Sequence, residues 1–289
     1  MSIKLENVSY SYLEGTPMAK TALNKVSLEI EDGEFVGLIG PTGSGKSTLI
    51  QHFNGLLLPS SGKVFVDGVD LAKKDVSLRL IRQKVGMVFQ YPEHQLFGET
   101  VLEDVGFGPR NGGLAEEEIV ERVKEALNFV GLDYEGLKDR SPFELSGGQK
   151  RRMAIAGVLA MRPSVLILDE PTAGLDPAGR QEILNEIKAL QETRGITVVL
   201  VTHSMEDVAR LVDRLIVMEK GAIILDGTPL EVFRQVERLR KIGLGVPKIT
   251  ELMHELKKRG LDVNTDIFRV EQAEEEILRV QGWKKHDHV

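Results

Sequence analysis

The chain contains no cysteine. Disulfides and thiolate metal sites are thereby excluded, which fits a reducing compartment. It also lacks a basic excess: 37 Lys and Arg stand against 44 Asp and Glu, a formal net charge of −7. Proteins that grip nucleic acid through its phosphates usually carry the opposite balance, so that class is disfavoured. Long apolar runs are missing too. Stretches such as Val165–Leu168 and Val198–Val201 are strand-sized, far short of the ~20 residues that a membrane helix requires. The opening residues Met1-Ser2-Ile3-Lys4-Leu5-Glu6 meet charge early and hold no apolar core of a secretory signal. A role at a membrane would therefore need other chains to cross the bilayer. Internal repeats and low-complexity tracts are absent as well.

What is present is globular in character. The 289 residues are 42% hydrophobic and 28% charged, enough for one large α/β domain with a small appendage or for two modest domains. Period-two alternation predicts strands over 3–10 and 26–31. Further strand-like runs lie at Phe35–Ile39, Lys63–Val66, Val85–Phe89, Val165–Leu168, Ile196–Val201, Leu215–Met218 and Ala222–Leu225. Between Phe89 and Val165 the period changes: Glu116–Val130 and Gln149–Met161 have helical spacing, so residues 91–162 read as a mainly helical insert. Strands alternating with helices elsewhere imply a largely parallel sheet. A boundary falls near Gly227, where Thr228, Pro229 and Glu231 have the pattern of a capped helix start. The segment beyond it, 229–289, reads as a helical extension, with Ile249, Leu252, Met253 and Leu256 on one helical face and a polar, frayed tail over 284–289.

The chemistry begins at Gly40-Pro41-Thr42-Gly43-Ser44-Gly45-Lys46-Ser47, followed by Thr48. The glycines let the backbone curl so that successive N–H groups face an anion, and the helix opening there adds its positive end. Lys46 would reach the β- and γ-phosphates of a nucleotide and Ser47 would ligate Mg²⁺. The apolar strand Val165–Leu168 ends in Asp169 and Glu170. Asp169 is placed to hold Mg²⁺, directly or through water, and Glu170 to polarise an attacking water. A strand end meeting solvent would account for the same pair. Gln90 and His203 each follow a strand in the same way, and ligands of open α/β sheets bind beyond such carboxyl ends. Polar residues at so many strand ends form a set, whereas His52 and His94 read as structural.

Leu145-Ser146-Gly147-Gly148-Gln149 opens another helix. A capping box accounts for Ser146 and Gln149. It does not account for adjacent glycines in a first turn, each costing about 1 kcal/mol against alanine. They make sense where an anion approaches the backbone closely, which makes this a second phosphate-binding helix end.

Taken in order, the phosphate loop, LSGGQ and the Leu166–Pro171 run resemble the ABC ATPases over about residues 1–228. The resemblance implies a P-loop NTPase core of the α/β class, with a mostly parallel sheet, N-terminal antiparallel strands, a helical signature subdomain and a small C-terminal helical extension. It implies ATP and Mg²⁺ as ligands, and two ATP molecules held between two subunits packed head to tail. Tyr12 matches the aromatic that stacks on adenine, with Tyr10 as its rival. Gln90 matches the Q-loop glutamine that also reaches the metal, Glu170 the catalytic base and His203 the switch histidine. Asp176 matches the aspartate linking the two sites, although Asp176-Pro177 is also an ordinary helix start. Ala173-Gly174-Leu175-Asp176 departs mildly from the commoner Ser-Ala-Leu-Asp.

Within that family, Tyr91-Pro92-Glu93-His94-Gln95-Leu96-Phe97 and Asp104–Asn111 are similar to the ATPase subunits of energy-coupling factor transporters. Residues 140–144 and 154–160 favour the second of their two ATPase types. This implies a peripheral protein on the cytoplasmic face of the membrane, energising uptake of vitamins or transition-metal ions. Its expected partners are a second ATPase subunit (itself or a paralogue), a transmembrane coupling subunit docking near 91–97 and a separate substrate-binding membrane protein, with no nucleic acid. The extension over 229–289 is expected to dimerise, or else to be a solvated polar helix pair. An ATPase of a methionine-type importer, with a regulatory tail, is the alternative.

Overall fold

The computed structural model describes residues 1–281; the tail over 284–289 lies outside them. The chain opens with strands β1 (Ile3–Tyr12) and β2 (Lys20–Ile30), continues through β3 (Phe35–Ile39) and helix α1 (Lys46–Phe53), and returns in β4 (Ser61–Val66) and β5 (Val69–Asp70). β1, β2, β4 and β5 make an antiparallel sheet in the order β2-β1-β4-β5. Along β1 and β2, Ile3, Leu5, Val8, Leu23, Val26, Leu28 and Ile30 turn to one face and are buried. They pack on Leu49, Ile50 and Phe53 of α1 and on Val36 and Leu38 of β3. β2 begins six residues before the expected position 26. Register shifts between Leu5 and Ser11 of β1 break its alternation with β2, and Lys25 stands at a φ of 48°, so the period-two signal fails there although pairing continues.

The second sheet is built from the rest of the core. In chain order come α2 (Leu78–Lys84), β6 (Val85–Val88), α3 (Val101–Asn111), α4 (Glu116–Phe129), α5 (Tyr134–Leu137), α6 (Gly147–Leu159), β7 (Val165–Asp169), α7 (Pro177–Arg194), β8 (Thr197–Val201), α8 (Met205–Leu211), β9 (Arg214–Glu219) and β10 (Ala222–Gly227). The strand order is β10-β9-β3-β8-β7-β6. All neighbours run parallel except the β9–β10 hairpin. Every residue of β3, β6, β7 and β8 is buried, as a sheet covered on both faces demands. Alternate residues serve opposite cores: Leu166, Leu168, Val198 and Leu200 face the helices, while Ile167, Val199 and Val201 face the antiparallel sheet and α1. The parallel strands deliver their carboxyl ends to one edge, and β3 sits between β8 and β9 there.

No strand lies between Val88 and Val165 among the described residues. α3, α4 and α6 pack through Val101, Val105, Ile119, Val123, Met153 and Ile155. Past Gly227, α9 (Pro229–Phe233) starts with the capping box of Thr228 and Glu231. α10 (Val236–Lys241) follows, and Val232, Phe233, Val236 and Leu239 extend the same core. α11 (Lys248–Lys258) and α12 (Val270–Gln281) then form a separate small cluster around Met253, Val263, Ile267 and Ala273. Ile249 and Leu256 pack on it as expected, but Leu252 is 44% exposed. At about 100° per residue Leu252 falls on the flank of that stripe, beyond the reach of a single covering helix.

Candidate nucleotide site

The loop between β3 and α1 is shaped by what surrounds it. Gly45 has a φ of 104°, and a Cβ there would lie 2.5 Å from the Ala22 carbonyl oxygen, so no side chain fits. Gly221 N donates to the Ser44 carbonyl at 2.9 Å, clamping the loop against the β9–β10 turn. α1 has no acid in its first turn, which leaves its positive end free for an anion. Lys46 Nζ donates to the carbonyls of Gly40 (2.7 Å) and Pro41 (3.1 Å), arching over the loop. Burial pushes the Lys46 ammonium below its ordinary pKa, and Asp169 and Glu170 oppose the shift. Above the loop lies a cleft of about 230 Å³ lined by Tyr12, Lys20, Thr21, Ala22 and residues 43–48. The hydroxyl of Tyr12 is 3.1 Å from Thr48 Oγ1. Tyr10 does not line the cleft; it stands behind Tyr12, edge-on to its ring.

The register of the parallel strands brings the acids to the same place. Asp169 pairs with Val201 on β8 and Leu168 with Val88 on β6, so Gln90, Glu170 and His203 emerge side by side. Ser47 Oγ donates to Asp169 Oδ2 at 3.1 Å. Burial pushes the Asp169 carboxyl up; the Ser47 hydroxyl opposes the shift and the Glu170 charge adds to it. Glu170 has a left-handed φ of 49°, with its amide donating to the Val201 carbonyl at 2.9 Å. That backbone turn aims the carboxylate away from the strand. Its Oε1 is 2.8 Å from His203 Nε2, and its Oε2 accepts from Gln90 Nε2 at 3.4 Å. A partly exposed carboxylate fixed between two polar side chains can take a proton from a water.

The donor set suits Mg²⁺. A serine hydroxyl, a carboxylate and the amide of Gln90 supply hard oxygens, and among the described residues no group of three or more His, Cys, Asp or Glu could hold a metal alone. Mg²⁺ is usually held by one or two protein oxygens together with substrate phosphates.

The signature residues lie elsewhere. Ser146 caps α6 and forms the capping box with Gln149, whose amide N donates to Ser146 Oγ at 3.3 Å. A Cβ on Gly147 would meet nothing within 4 Å, and one on Gly148 only the Leu175 side chain at 3.7 Å. None of residues 146–149 lines the phosphate cleft. Asp176 caps α7, accepting from Gly179 N at 2.9 Å, and that bond holds its carboxyl below the usual range. Its side chain is exposed, so the cap and a further contact are compatible.

Two features escape the sequence reading. Lys20, Thr21 and Ala22 line the cleft because β2 runs further back than its alternation shows. Arg151, on the signature helix, is buried beneath the Tyr91 ring, with its Nε 3.6 Å from Glu93 Oε2. Neither atom of that ion pair has a hydrogen-bond partner. A charged residue one turn into a helix is the only signal in the sequence for such a pair, and it reads as solvated.

The family described as ABC transporter matches residues 23–173. An energy-coupling factor transporter ATP-binding protein EcfA2 of Clostridium perfringens is 60% identical over 280 residues, covering 97% of this chain and 98% of that protein. Its namesake from Caldanaerobacter subterraneus is 61% identical over 279 residues, covering 96% and 97%. Among solved structures, cbiO1 from Clostridium perfringens, titled as part of the ABC transporter complex cbiONQ, superposes with a TM-score of 0.72 at 44% identity, covering 87% of this chain and 98% of that one. The cassette MJ0796, in a dimeric post-hydrolysis state bound to ADP and Pi, gives 0.71 at 35% identity over 78% of this chain and 98% of that chain. The fold and the nucleotide site thus define an ATP-hydrolysing subunit of the ABC class. Within that class the chain belongs to the energy-coupling factor transporter ATP-binding proteins.

Proposed function

We propose that this chain energises an importer of the energy-coupling factor type by binding ATP between itself and a second ATPase subunit, either a copy or a paralogue. One observation carries the reading: the phosphate loop lines one cleft, with Asp169 held on its Ser47 hydroxyl, while Gly147, in the first turn of α6, faces open space outside that cleft. Each chain thus holds two incomplete halves of a phosphate site, and head-to-tail pairing joins a half from each. The dimeric cassette bound to ADP and Pi supports this arrangement.

In this reading the adenine stacks on Tyr12. The triphosphate lies on residues 40–48, with Lys46 on its terminal phosphates. Ser146, Gly147, Gly148 and Gln149 of the partner copy close over the γ-phosphate, and Asp176 links the two sites. Ser47, Asp169 and Gln90 would hold Mg²⁺, which neutralises phosphate charge when bound. Glu170 accepts a proton from water as the water oxygen bonds to the γ-phosphorus and the β–γ bridging bond breaks, releasing ADP. Gln90 and His203 hold the Glu170 carboxylate for that transfer.

The work is passed to the membrane by the segment after Gln90. Tyr91 and Phe97 are exposed there, and Phe107 of α3 meets Phe97 edge-on at 4.7 Å. A groove of about 340 Å³ runs beside them, lined by Leu56, Val88, Pro92, Leu96, Phe97 and Phe107 among others. A transmembrane coupling subunit docks here, around 91–97, and a separate membrane protein selects the cargo, a vitamin or a transition-metal ion. Glu93 and Arg151 tie this segment to the signature helix, so closure of the dimer moves the docking surface. No helix among the described residues is long and apolar enough to cross a membrane, and the chain sits peripherally on the cytoplasmic face. The ATPase unit spans residues 1–228, its helical subdomain about 91–162, and the extension over 229–289 adds to the dimer contact.

The test is the mass in solution of purified Glu170→Gln, with and without ATP and Mg²⁺. An ATP-dependent dimer supports self-pairing through the nucleotide, and a dimer without ATP assigns the contact to the extension. A monomer under both conditions requires a paralogous partner. If that variant hydrolyses ATP at the wild-type rate, the assignment of Glu170 fails.

A further inference from the structure

Behind the wall of the cleft, Tyr12, Tyr10, His52 and Thr48 close a ring of contacts. The hydroxyl of Tyr12 lies 3.1 Å from Thr48 Oγ1. The Tyr12 ring meets Tyr10 edge-on, with centroids 5.0 Å apart and planes at 88°. Tyr10 in turn meets the imidazole of His52 at 5.1 Å and 78°. His52 Nδ1 lies 2.7 Å from the carbonyl oxygen of Thr48, one turn earlier on α1. The path therefore runs from Tyr12 through Tyr10 and His52 to Thr48 and back to Tyr12.

His52 is an expensive residue in this position. It is fully buried, and its Nε2 has no hydrogen-bond partner. With a carbonyl as the partner of Nδ1, that nitrogen carries the proton and Nε2 is left as a bare acceptor. A leucine would fill the space without stranding a polar atom. Burial also pushes the imidazole below its ordinary pKa, so an ion pair is not what the residue supplies. It supplies a flat ring whose rotation is fixed by the bond to the helix carbonyl. Edge-to-face packing carries that fixed orientation to Tyr10 and then to Tyr12. Tyr12 needs the support: it ends β1, is 41% exposed, and follows a register shift between Tyr10 and Ser11.

We propose that His52, acting through Tyr10, is a positioning residue for recognition of the nucleotide base, holding the Tyr12 ring in the attitude that stacks on it. This rests on Tyr12 being the base contact.

The experiment is calorimetric titration of the full chain with ADP and, separately, with inorganic pyrophosphate, which has no base. The variants are Tyr12→Ala, Tyr10→Leu, His52→Leu and His52→Phe. Stacking on an aromatic side chain corresponds to roughly 5- to 150-fold in affinity. Tyr12→Ala should lose that factor for ADP and leave pyrophosphate unchanged. His52→Leu and Tyr10→Leu should weaken ADP by about 3-fold or more, again sparing pyrophosphate, and His52→Phe, which restores a ring, should recover part of the loss. If Tyr12→Ala weakens ADP but neither His52→Leu nor Tyr10→Leu does, the positioning role is overturned and the base contact stands. Equal weakening of ADP and pyrophosphate by His52→Leu and Tyr10→Leu also overturns it, since that marks a disturbed phosphate loop. If Tyr12→Ala leaves ADP binding unchanged, the base contact itself is wrong and the positioning role falls with it.

Discussion

Glu170 Oε1 lies 2.8 Å from His203 Nε2, both just past the ends of neighbouring strands whose register sets Asp169 opposite Val201. With Gln90 on its other oxygen at 3.4 Å, the carboxylate is held from both sides. Glu170→Gln keeps the shape and one acceptor oxygen for Gln90 but cannot take a proton. Steady-state phosphate release should fall by about 10²- to 10⁴-fold, the usual range for a positioned general base. Nucleotide affinity should stay within a few-fold of wild type. A variant that hydrolyses ATP within threefold of wild type would remove Glu170 from the chemistry.

Asp169 makes a prediction about stability. Burial raises its carboxyl above the ordinary value of 3.8 in the folded state. The folded chain therefore holds this proton more tightly than the unfolded chain, and stability is lost as pH rises through the interval between the two values. Below that interval Asp169 and an asparagine should be equivalent; above it, Asp169→Asn should be more stable in the absence of nucleotide and Mg²⁺. Each kcal/mol relieved should raise the unfolding temperature by roughly 2–4 °C. Thermal unfolding of the two proteins at pH 3.5 and pH 7.5 checks the sign, and a constant gap at both pH values would contradict it.

Gly147 separates stability from function. Its position on α6 has room for a methyl group, and alanine in place of a helical glycine stabilises by about 0.5–1 kcal/mol. Gly147→Ala should therefore leave the unfolding temperature of the isolated chain unchanged or slightly raised. ATP hydrolysis by the assembled pair should fall at least 10-fold, because the methyl group occupies the path of a phosphate to the helix N-terminus. Loss of stability with hydrolysis intact would show that this glycine serves the fold instead.

The local shapes of the candidate site were legible because each motif is local: a few adjacent residues create the curl of residues 40–45, the cap at Ser146 and the acids at the end of β7. The sheet was legible for a related reason, since β3, β7 and β8 are buried throughout and read as continuous apolar runs. What stayed hidden depends on residues far apart in sequence. Arg151 looks like a surface charge until Glu93 and Tyr91 fold over it. The first half of β2 carries polar residues that pair with a bulged β1, so Lys20–Ala22 gave no sign of lining the cleft. The left-handed turn at Glu170 leaves no trace in composition, although it aims the carboxylate. Leu252 misled because periodicity identifies an apolar stripe without saying how wide its cover is.

The α11–α12 pair carries its own acid sensitivity. Glu276 accepts from Arg279 and from the Asn264 amide, and these bonds lower its pKa to about 2 from 4.5. A depressed carboxyl contributes stability that is complete above its unfolded value and lost as pH falls from about 4.5 towards 2. Protection of the amides over 261–281, taken as the exchange rate relative to the intrinsic rate at each pH, should fall through that interval in the wild type. Glu276→Gln should show the lower protection already at pH 7 and little further change in acid. Identical profiles for the two proteins would assign the acid response to another group.

Docking to the membrane subunit should depend on the paired rings of Phe97 and Phe107. Phe97 is 59% exposed and Phe107 46%, an arrangement that exposes apolar area to water without serving the core. The loop that presents Phe97 is braced from behind, since Asp104 Oδ2 accepts from the amides of Phe97 and Gly98, each at 2.7 Å. A rigidly presented aromatic pair is the kind of anchor on which a few residues carry most of an interface's affinity. Phe97→Ser with Phe107→Ser should leave the unfolding temperature within about 2 °C of wild type, because surface changes are usually within ±0.5 kcal/mol. Co-purification with a membrane coupling subunit should fall at least 10-fold, the ~1.4 kcal/mol or more expected on removal of an aromatic anchor. Asp104→Ala should give a milder loss of the same kind by freeing the loop while keeping both rings. If the double variant still assembles and transports at the wild-type level, the docking surface lies elsewhere, and the exposure of these rings has another cause.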